Sequence, residues 1–216
     1  MAFDFKKEYR ALYLPPERPE ICTVPPMTFL AVRGQGDPNA AQGEYQHALT
    51  LLYAASYTIK MSKLGDHRMD GFFDYVVPPL EGLWWQEGED GLDLRRKAEF
   101  QWISLIRLPD FVTRAEFDWA IGEATARKRM DFSPVSYFQY DEGLCVQCLY
   151  RGSYDREVET IASMDAFARD HGYAPDFDGG RHHHEIYLSD PRRCKPENLK
   201  TVLRHPIRGL QEQTHP

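Results

Sequence analysis

The chain has 216 residues, 42% hydrophobic and 27% charged, a composition typical of globular proteins and not of disordered or fibrous ones. It contains 26 Lys and Arg against 33 Asp and Glu, and the resulting net charge of −7 argues against direct binding of nucleic acid. No apolar run is long enough to cross a membrane and the N-terminus lacks a secretory signal, so we expect a cytoplasmic protein without a membrane partner.

The first half of the chain predicts an arm followed by a strand, a helix and two more strands. Residues 1–20 include a short apolar segment that ends at paired prolines, and we interpret them as a docking arm outside a single domain of residues 21–216. TFLAVRG then predicts a strand, and LEGLWW and FQWISLIRL predict two more. Between them, a helix from Glu44 towards Lys63 is expected to bury Tyr45, Leu49, Leu52, Tyr53, Ser56 and Ile59.

The second half repeats this order after a capped helix over about residues 114–128. LCVQCLY predicts a strand, residues 155–171 a helix, and HHEIYLS and LKTVLRHPI two further strands. Two βαββ pseudo-repeats result, over about residues 27–130 and 135–210, each with Arg-Gly after its first strand. We therefore predict an α+β fold of duplicated βαββ units, with antiparallel sheets about a pseudo-twofold axis and a central ligand cleft.

The segment RHHHEIYLS is the most informative part of the second half. In a strand, alternation places His183, Glu185 and Tyr187 on one face, with His184 on the other. Because neighbouring strand positions diverge, histidines 182–184 are poorly arranged to share one metal ion. We predict neither a metal nor an organic cofactor.

Glu185 is the leading candidate for chemistry because the sequence also supplies many large aromatic rings with polar tips. An acidic side chain in a ring-lined cleft can hold a cation, with cation–π attraction of about 0.5–2 kcal/mol. Buried among rings, it can instead act as a general base towards water, with a nearby phenol as proton donor. The residues alone leave both uses open. The candidate rings are Tyr53, Tyr57, Trp84, Trp85, Trp102, Tyr137, Tyr140 and Tyr187.

The βαββ order, together with LLYAASYTIKM, DYVVPPLEGLWW and HHEIYLSDPRR, resembles the GyrI-like small-molecule-binding superfamily over about residues 20–208. Its stand-alone branch is similar to cyclopropanoid cyclic hydrolases, which open the spiro-cyclopropane of DNA-alkylating natural products such as yatakemycin. The resemblance implies a central-cleft glutamate at Glu185 and a cleft wall at Trp84 or Trp85. It also implies xenobiotic detoxification, drug resistance and a hydrophobic aromatic small molecule as partner.

The mechanism implied by this resemblance uses Glu185 to orient and deprotonate water towards the strained methylene. On chemical grounds, Tyr57 or Tyr140 would hydrogen-bond the developing phenolate. The flat substrate would be held by Trp84, Trp85, Tyr53, Tyr137, Tyr187 and Trp102. A non-catalytic binder or sensor of hydrophobic or cationic xenobiotics is the alternative, and inhibition of a topoisomerase rests on the family name alone. The sequence predicts neither the physiological substrate nor the oligomeric state.

Overall fold

The computed structural model describes residues 2–89 and 91–210, and its mixed helices and strands confirm the predicted α+β class. None of the helices within these ranges combines the length and apolarity that a bilayer crossing requires. The strands are β1 (Phe3–Asp4), β2 (Glu20–Val24), β3 (Met27–Gln35), β4 (Tyr75–Val76), β5 (Leu80–Trp85), β6 (Gln101–Arg107), β7 (Ser136–Tyr140), β8 (Gly143–Arg151), β9 (Tyr173–Pro175), β10 (His183–Tyr187) and β11 (Lys200–Gly209). The α-helices are α1 (Phe5–Glu8), α2 (Arg10–Tyr13), α3 (Glu44–Met61), α4 (Arg114–Lys128) and α5 (Val158–Asp170).

The main sheet is continuous through the middle of the molecule. Its strands lie in the order β2-β8-β11-β10-β5-β6-β3-β7, and β9 pairs with β11. The two central strands, β5 and β10, are antiparallel, with Glu185 opposite Gly82 and Tyr187 opposite Leu80. Where we expected two sheets to meet at a cleft, backbone hydrogen bonds between β5 and β10 join the two halves into one sheet.

The strand order is symmetric about the central pair. Outward from β5 and β10, each half continues through its last strand, β6 or β11, and then its first strand, β3 or β8. The next positions are exchanged, since β2 precedes β3 in the chain but pairs with β8, whereas β7 precedes β8 but pairs with β3. The order is compatible with the two proposed repeats. The duplication itself, like the limits of the arm and the domain, remains a prediction.

One side of the sheet, called here the helix face, carries α3, α4 and α5. The first two pack over β3, β5 and β6, and α5 packs over β8 and β11. The buried stripe of α3 differs from the predicted one, because Tyr53 is 39% exposed and Leu49 is half-buried. The unbroken helical spacing of positions 48, 51, 52, 55 and 59 includes two alanines, which allow the helix to approach the sheet closely. The buried residues of α3 are Tyr45, Ala48, Leu51, Leu52, Ala55, Ser56 and Ile59.

The opposite side, called here the N-terminal face, is covered by residues 3–13. Phe5, Leu12 and Tyr13 are buried there against apolar side chains of the central strands, among them Leu83 and Ile186. Charged groups from several strands lie beneath this cover. Because they are removed from water, they must be compensated within the protein.

The compensation is a network centred on His184, which lies between two carboxylates. Its Nε2 is 3.0 Å from Glu81 Oε2 and its Nδ1 is 2.9 Å from Glu142 Oε1. Arg204 donates to the other oxygen of Glu142 at 3.0 Å, and the Tyr13 hydroxyl donates to Glu81 at 3.1 Å. Burial lowers the pKa of His184, but the charges of Glu142 and Glu81 outweigh it and raise this pKa to about 9. Burial raises the pKa of Glu142, but the charges of His184 and Arg204 outweigh burial and lower this pKa to about 2.

We expect the free energy of unfolding to decrease as the pH rises through this pKa. His184 keeps its proton up to about pH 9 in the folded protein but only up to about 6.5 in the unfolded chain. Between these values the folded state binds more protons, so it loses about 3 kcal/mol of stabilisation as the pH increases. Below the lower value the contribution is complete.

Urea unfolding below, within and above this pH window measures the effect. His184→Gln should remove the slope, whereas the exposed control His47→Gln should retain it. A wild-type free energy of unfolding that stays constant across the window would contradict a charged His184.

Candidate functional site

The candidate site lies on the helix face at the centre of the sheet, between the half covered by α3 and the half covered by α5. The pairing of β10 places Glu185 between Gly82 on one side and Leu203 on the other. His183 and Tyr187 share this face with Glu185. β10 is in the middle of the sheet, and Glu185 is accordingly buried, with 7% of its surface exposed. A carboxylate is an unusual side chain at such a position.

A second carboxylate, Glu157, lies beside Glu185. It directly precedes α5 and is 1% exposed. The Nε2 atom of His183 is 3.3 Å from Glu185 Oε1 and 3.9 Å from Glu157 Oε1, while Glu157 Oε2 has no hydrogen-bond partner. Burial, and then the charge of Glu185, raise the pKa of Glu157 well above its usual range. Glu157 therefore holds its proton to a higher pH than an isolated carboxyl group would.

Four aromatic rings surround the carboxyl pair. The Trp84 indole donates a 2.9 Å hydrogen bond to the Tyr187 hydroxyl, and the Tyr45 ring lies 5.4 Å from the Trp84 ring. Tyr154 meets Tyr187 edge-on at 5.6 Å. Burial, and then the charge of Glu185, raise the pKa values of the three tyrosines, that of Tyr154 to about 12. These side chains remain neutral phenols and can donate hydrogen bonds.

Tyr154 belongs to a short 3₁₀ turn, Tyr154–Arg156, at the outer side of the site. This turn is linked to the loop after β5 by an ion pair in which Lys97 Nζ lies 2.7 Å from Asp155 Oδ1. A separate groove of about 600 Å³, between the end of α3 and α4, is lined in part by His67 and Trp119. The groove contains none of the groups around Glu185.

Three of the predicted ring residues share the face of Glu185 and lie close to it. Trp84 and Tyr187 are hydrogen-bonded to each other, and the fully buried Trp102 packs edge-on against Tyr45 at 5.2 Å. Trp85, the neighbour of Trp84, points to the N-terminal face. The sequence had allowed either tryptophan as the cleft wall, and strand alternation selects Trp84.

The remaining predicted residues are not brought to Glu185. Tyr137 and Tyr140 are on β7, four strands and about 19 Å from β10, and Tyr140 is on the N-terminal face. Tyr57 is 52% exposed on the outer side of α3, and Tyr53 lies beside the loop after β10. Tyr57 and Tyr140 therefore cannot be the phenol donors that we expected beside Glu185.

Sequence reasoning missed Glu157, Tyr45 and Tyr154, and it gave His183 no role. The missed residues stand near the beginnings of α3 and α5, which both follow the Arg-Gly that ends the first strand of each half. Because the two helices begin on either side of the sheet centre, their first turns face the same gap. The repeated Arg-Gly was the signal that could have indicated these positions.

The sequence profile of the GyrI-like small molecule binding domain matches residues 17–208. An uncharacterized conserved protein from Listeria innocua has 47% sequence identity, with coverage of 95% of this chain and 100% of its own, at a TM-score of 0.90. A hydrolase from the same organism has 45% identity over 95% of this chain and 100% of its own, at a TM-score of 0.86.

More distant similarity extends to the C-terminal domain of EcmrR, with 9% identity, coverage of 89% of this chain and 98% of that domain, and a TM-score of 0.52. At that identity only the fold is shared. No curated protein matches the chain.

We expect Gly82→Ala to disrupt the floor of the site, because the new Cβ would lie 2.5 Å from Trp84 Nε1 and 3.2 Å from the Tyr187 hydroxyl. The substitution should break their hydrogen bond, cost about 1–3 kcal/mol of stability and alter tryptophan emission. Gly122→Ala on α4 is the matched control, since its Cβ has no atom within 4 Å and alanine favours a helix by about 1 kcal/mol. Chemical denaturation should show opposite signs for the two variants, and equal effects would contradict a crowded floor.

Proposed function

The chain belongs to the GyrI-like small molecule binding domain family, and from this premise we propose that it is a hydrolase of electrophilic aromatic small molecules. The proposed reaction is opening of a cyclopropane ring in DNA-alkylating compounds of the yatakemycin type. The hydrolase from Listeria innocua, which is 45% identical, supports hydrolysis as the reaction class. A cytoplasmic enzyme of this kind would detoxify such compounds and confer resistance to them.

The observation that carries the proposal is the pair of carboxyl groups, Glu157 and Glu185, buried among rings without a Lys or Arg ion pair in the described part of the chain. A carboxylate in a site of low polarity is less solvated and accepts a proton from water more readily. Of the surrounding rings, those of Tyr154 and Tyr187 are half-buried and offer apolar surface on which a polycyclic substrate can stack. The site therefore joins a base for water to a surface for an aromatic electrophile.

The proposed reaction begins with a water molecule held by Glu185. Its oxygen attacks the cyclopropane methylene, the ring carbon–carbon bond breaks, and the electron pair moves through the dienone to its carbonyl oxygen. Glu185 accepts the proton of the water while the former carbonyl becomes a phenolate. Tyr154, a neutral phenol at the outer side of the site, replaces Tyr57 and Tyr140 as the donor that stabilises this oxygen.

Glu157 has a different role from Glu185 in this scheme. Because its raised pKa keeps Glu157 protonated, the carboxyl pair is neutral once Glu185 has taken the proton of the water, and no carboxylate faces the phenolate. The proton on Glu157 therefore limits repulsion between the product and the site.

Replacement of Glu185 tests the proposal. Glu185→Gln should lower kcat/KM for a spirocyclopropyl-cyclohexadienone by at least about 100-fold, since an amide cannot take the proton of water. Phenol formation followed by absorbance, with the alcohol product identified by mass spectrometry, measures the rate. Glu159→Gln, an exposed site two residues after Glu157, should retain wild-type activity. Wild-type activity in Glu185→Gln would refute the mechanism.

The alternative function is binding of lipophilic cations without turnover. It is favoured by the same uncompensated charge, because a ring-lined acidic site attracts an organic cation by charge and by cation–π contact. In that case the dienone would be bound without forming product, and Glu185→Gln would weaken binding of cationic dyes but not of neutral ones. Fluorescence titration of a matched pair of dyes distinguishes the two functions.

A further inference from the structure

A chain of side chains leads from the carboxyl pair to the molecular surface, and the mechanism above does not use it. His183 Nε2 faces Glu185 and Glu157, while its Nδ1 is 2.7 Å from His205 Nε2. His205 Nδ1 is in turn 3.1 Å from Asp165 Oδ1 on α5. Both histidines are buried, whereas the Asp165 side chain is 25% exposed.

The hydrogen-bond roles along this chain follow from its outer end. A carboxylate at Asp165 only accepts hydrogen bonds, so His205 must donate from Nδ1 and is left with a lone pair on Nε2. His183 then donates from Nδ1 to His205, which leaves its own Nε2 lone pair facing the carboxyl pair. Burial lowers the pKa of His205, which is consistent with a neutral ring. This nitrogen is thus oriented to receive the proton that Glu185 and Glu157 hold.

We propose that His183 takes up the proton that Glu185 removes from water, and that His205 and Asp165 are positioning residues that keep His183 Nε2 free for it. The inference rests on the proposed hydrolase function and extends its mechanism. The water proton passes from Glu185 to His183 Nε2, and the resulting imidazolium is stabilised through His205 by the Asp165 charge. The proton returns to the phenolate oxygen as the product leaves, so the net reaction adds one water molecule.

The groups that face His183 from each packed element are consistent with this transfer. They are Glu185 on its own strand, Glu157 at the start of α5 and His205 on β11, and Lys97 is the cationic group near Glu157. A histidine held by an outer carboxylate is also how proteins orient a metal ligand, and one atom of each of Glu157, His183 and Glu185 lies within 4.8 Å of the others. The positions that these three side chains leave open on an ion could be filled by water, as in zinc sites with three protein ligands. A metal is therefore the competing outcome of the test.

The test compares Asp165→Asn and His205→Phe with wild type, using Asp170→Asn as the exposed control on the same helix. With the spirocyclopropyl-cyclohexadienone, both variants should lower kcat by about tenfold or more, leave KM within about twofold, and change the pH dependence of kcat. Asp165→Glu, which restores a carboxylate, should recover much of the rate. Thermal unfolding confirms that each variant is folded.

A second measurement needs no turnover. Nitrogen-15 spectra of the histidine rings in the free wild-type protein should show His183 and His205 as Nδ1–H tautomers, and Asp165→Leu, which removes the hydrogen-bond acceptor, should shift both towards Nε2–H. If the wild-type protein lacks hydrolase activity, the proposed function is wrong. The spectrum then still tests whether Asp165 and His205 set the tautomer of His183.

Three results would overturn the inference. One is wild-type kcat and pH dependence in Asp165→Asn and His205→Phe while Glu185→Gln is inactive. Another is a His183 tautomer that is the same whether or not position 165 carries a hydrogen-bond acceptor. The third is activity that a chelator abolishes and Mn²⁺ or Zn²⁺ restores, since His183 would then be a metal ligand.

Discussion

The structure depends on how charge is buried on the two faces of one strand, β10. On the N-terminal face, His184 and Arg204 supply two positive charges to the carboxylates of Glu81 and Glu142. On the helix face, His183 is the one basic side chain that the described residues place within 4 Å of Glu185 and Glu157. A buried ion network with matched charges serves the fold, whereas an unmatched pair of acids is costly and is retained where it does chemistry. The alternation of a single strand thus separates the matched charges from the unmatched pair on which the proposed function rests.

This separation also leaves Glu185 on a strand that is held along both of its edges. β10 is hydrogen-bonded on both sides, and the anchored His184 fixes the strand from below while α3 and α5 pack on either side above. The glycine at position 82 gives the Trp84 indole and the Tyr187 hydroxyl room to meet beside Glu185. A carboxylate surrounded in this way has few rotamers available, so the proposed reaction would need little reorganisation as charge develops.

Local patterns predicted α3, α4, α5 and the strands β3, β5, β6, β8, β10 and β11, but not β2, β7 or β9. Alternation in HHEIYLS placed Glu185 and Tyr187 on one face. Such patterns could not give the neighbours of Glu185, which come from the start of α5 and from strands far away in the chain. Tyr140 illustrates the limit: its chemistry suited a proton donor, but its strand, β7, is at an edge of the sheet, four strands from β10. Tyr53 and Tyr57 lie away from Glu185 for another reason, because the side of α3 that packs on the sheet carries other residues, among them Leu51, Leu52 and Ile59.

The exchanged positions of β2 and β7 have a consequence for the integrity of the polypeptide. Each strand leaves the half in which it is encoded and completes the hydrogen bonding of the other. Severing the backbone between α4 and β7 would give two fragments, each of which needs a strand that the other fragment carries. Neither fragment alone can pair the backbone N–H and C=O groups of its edge strand, so the two would have to exchange strands as they assemble.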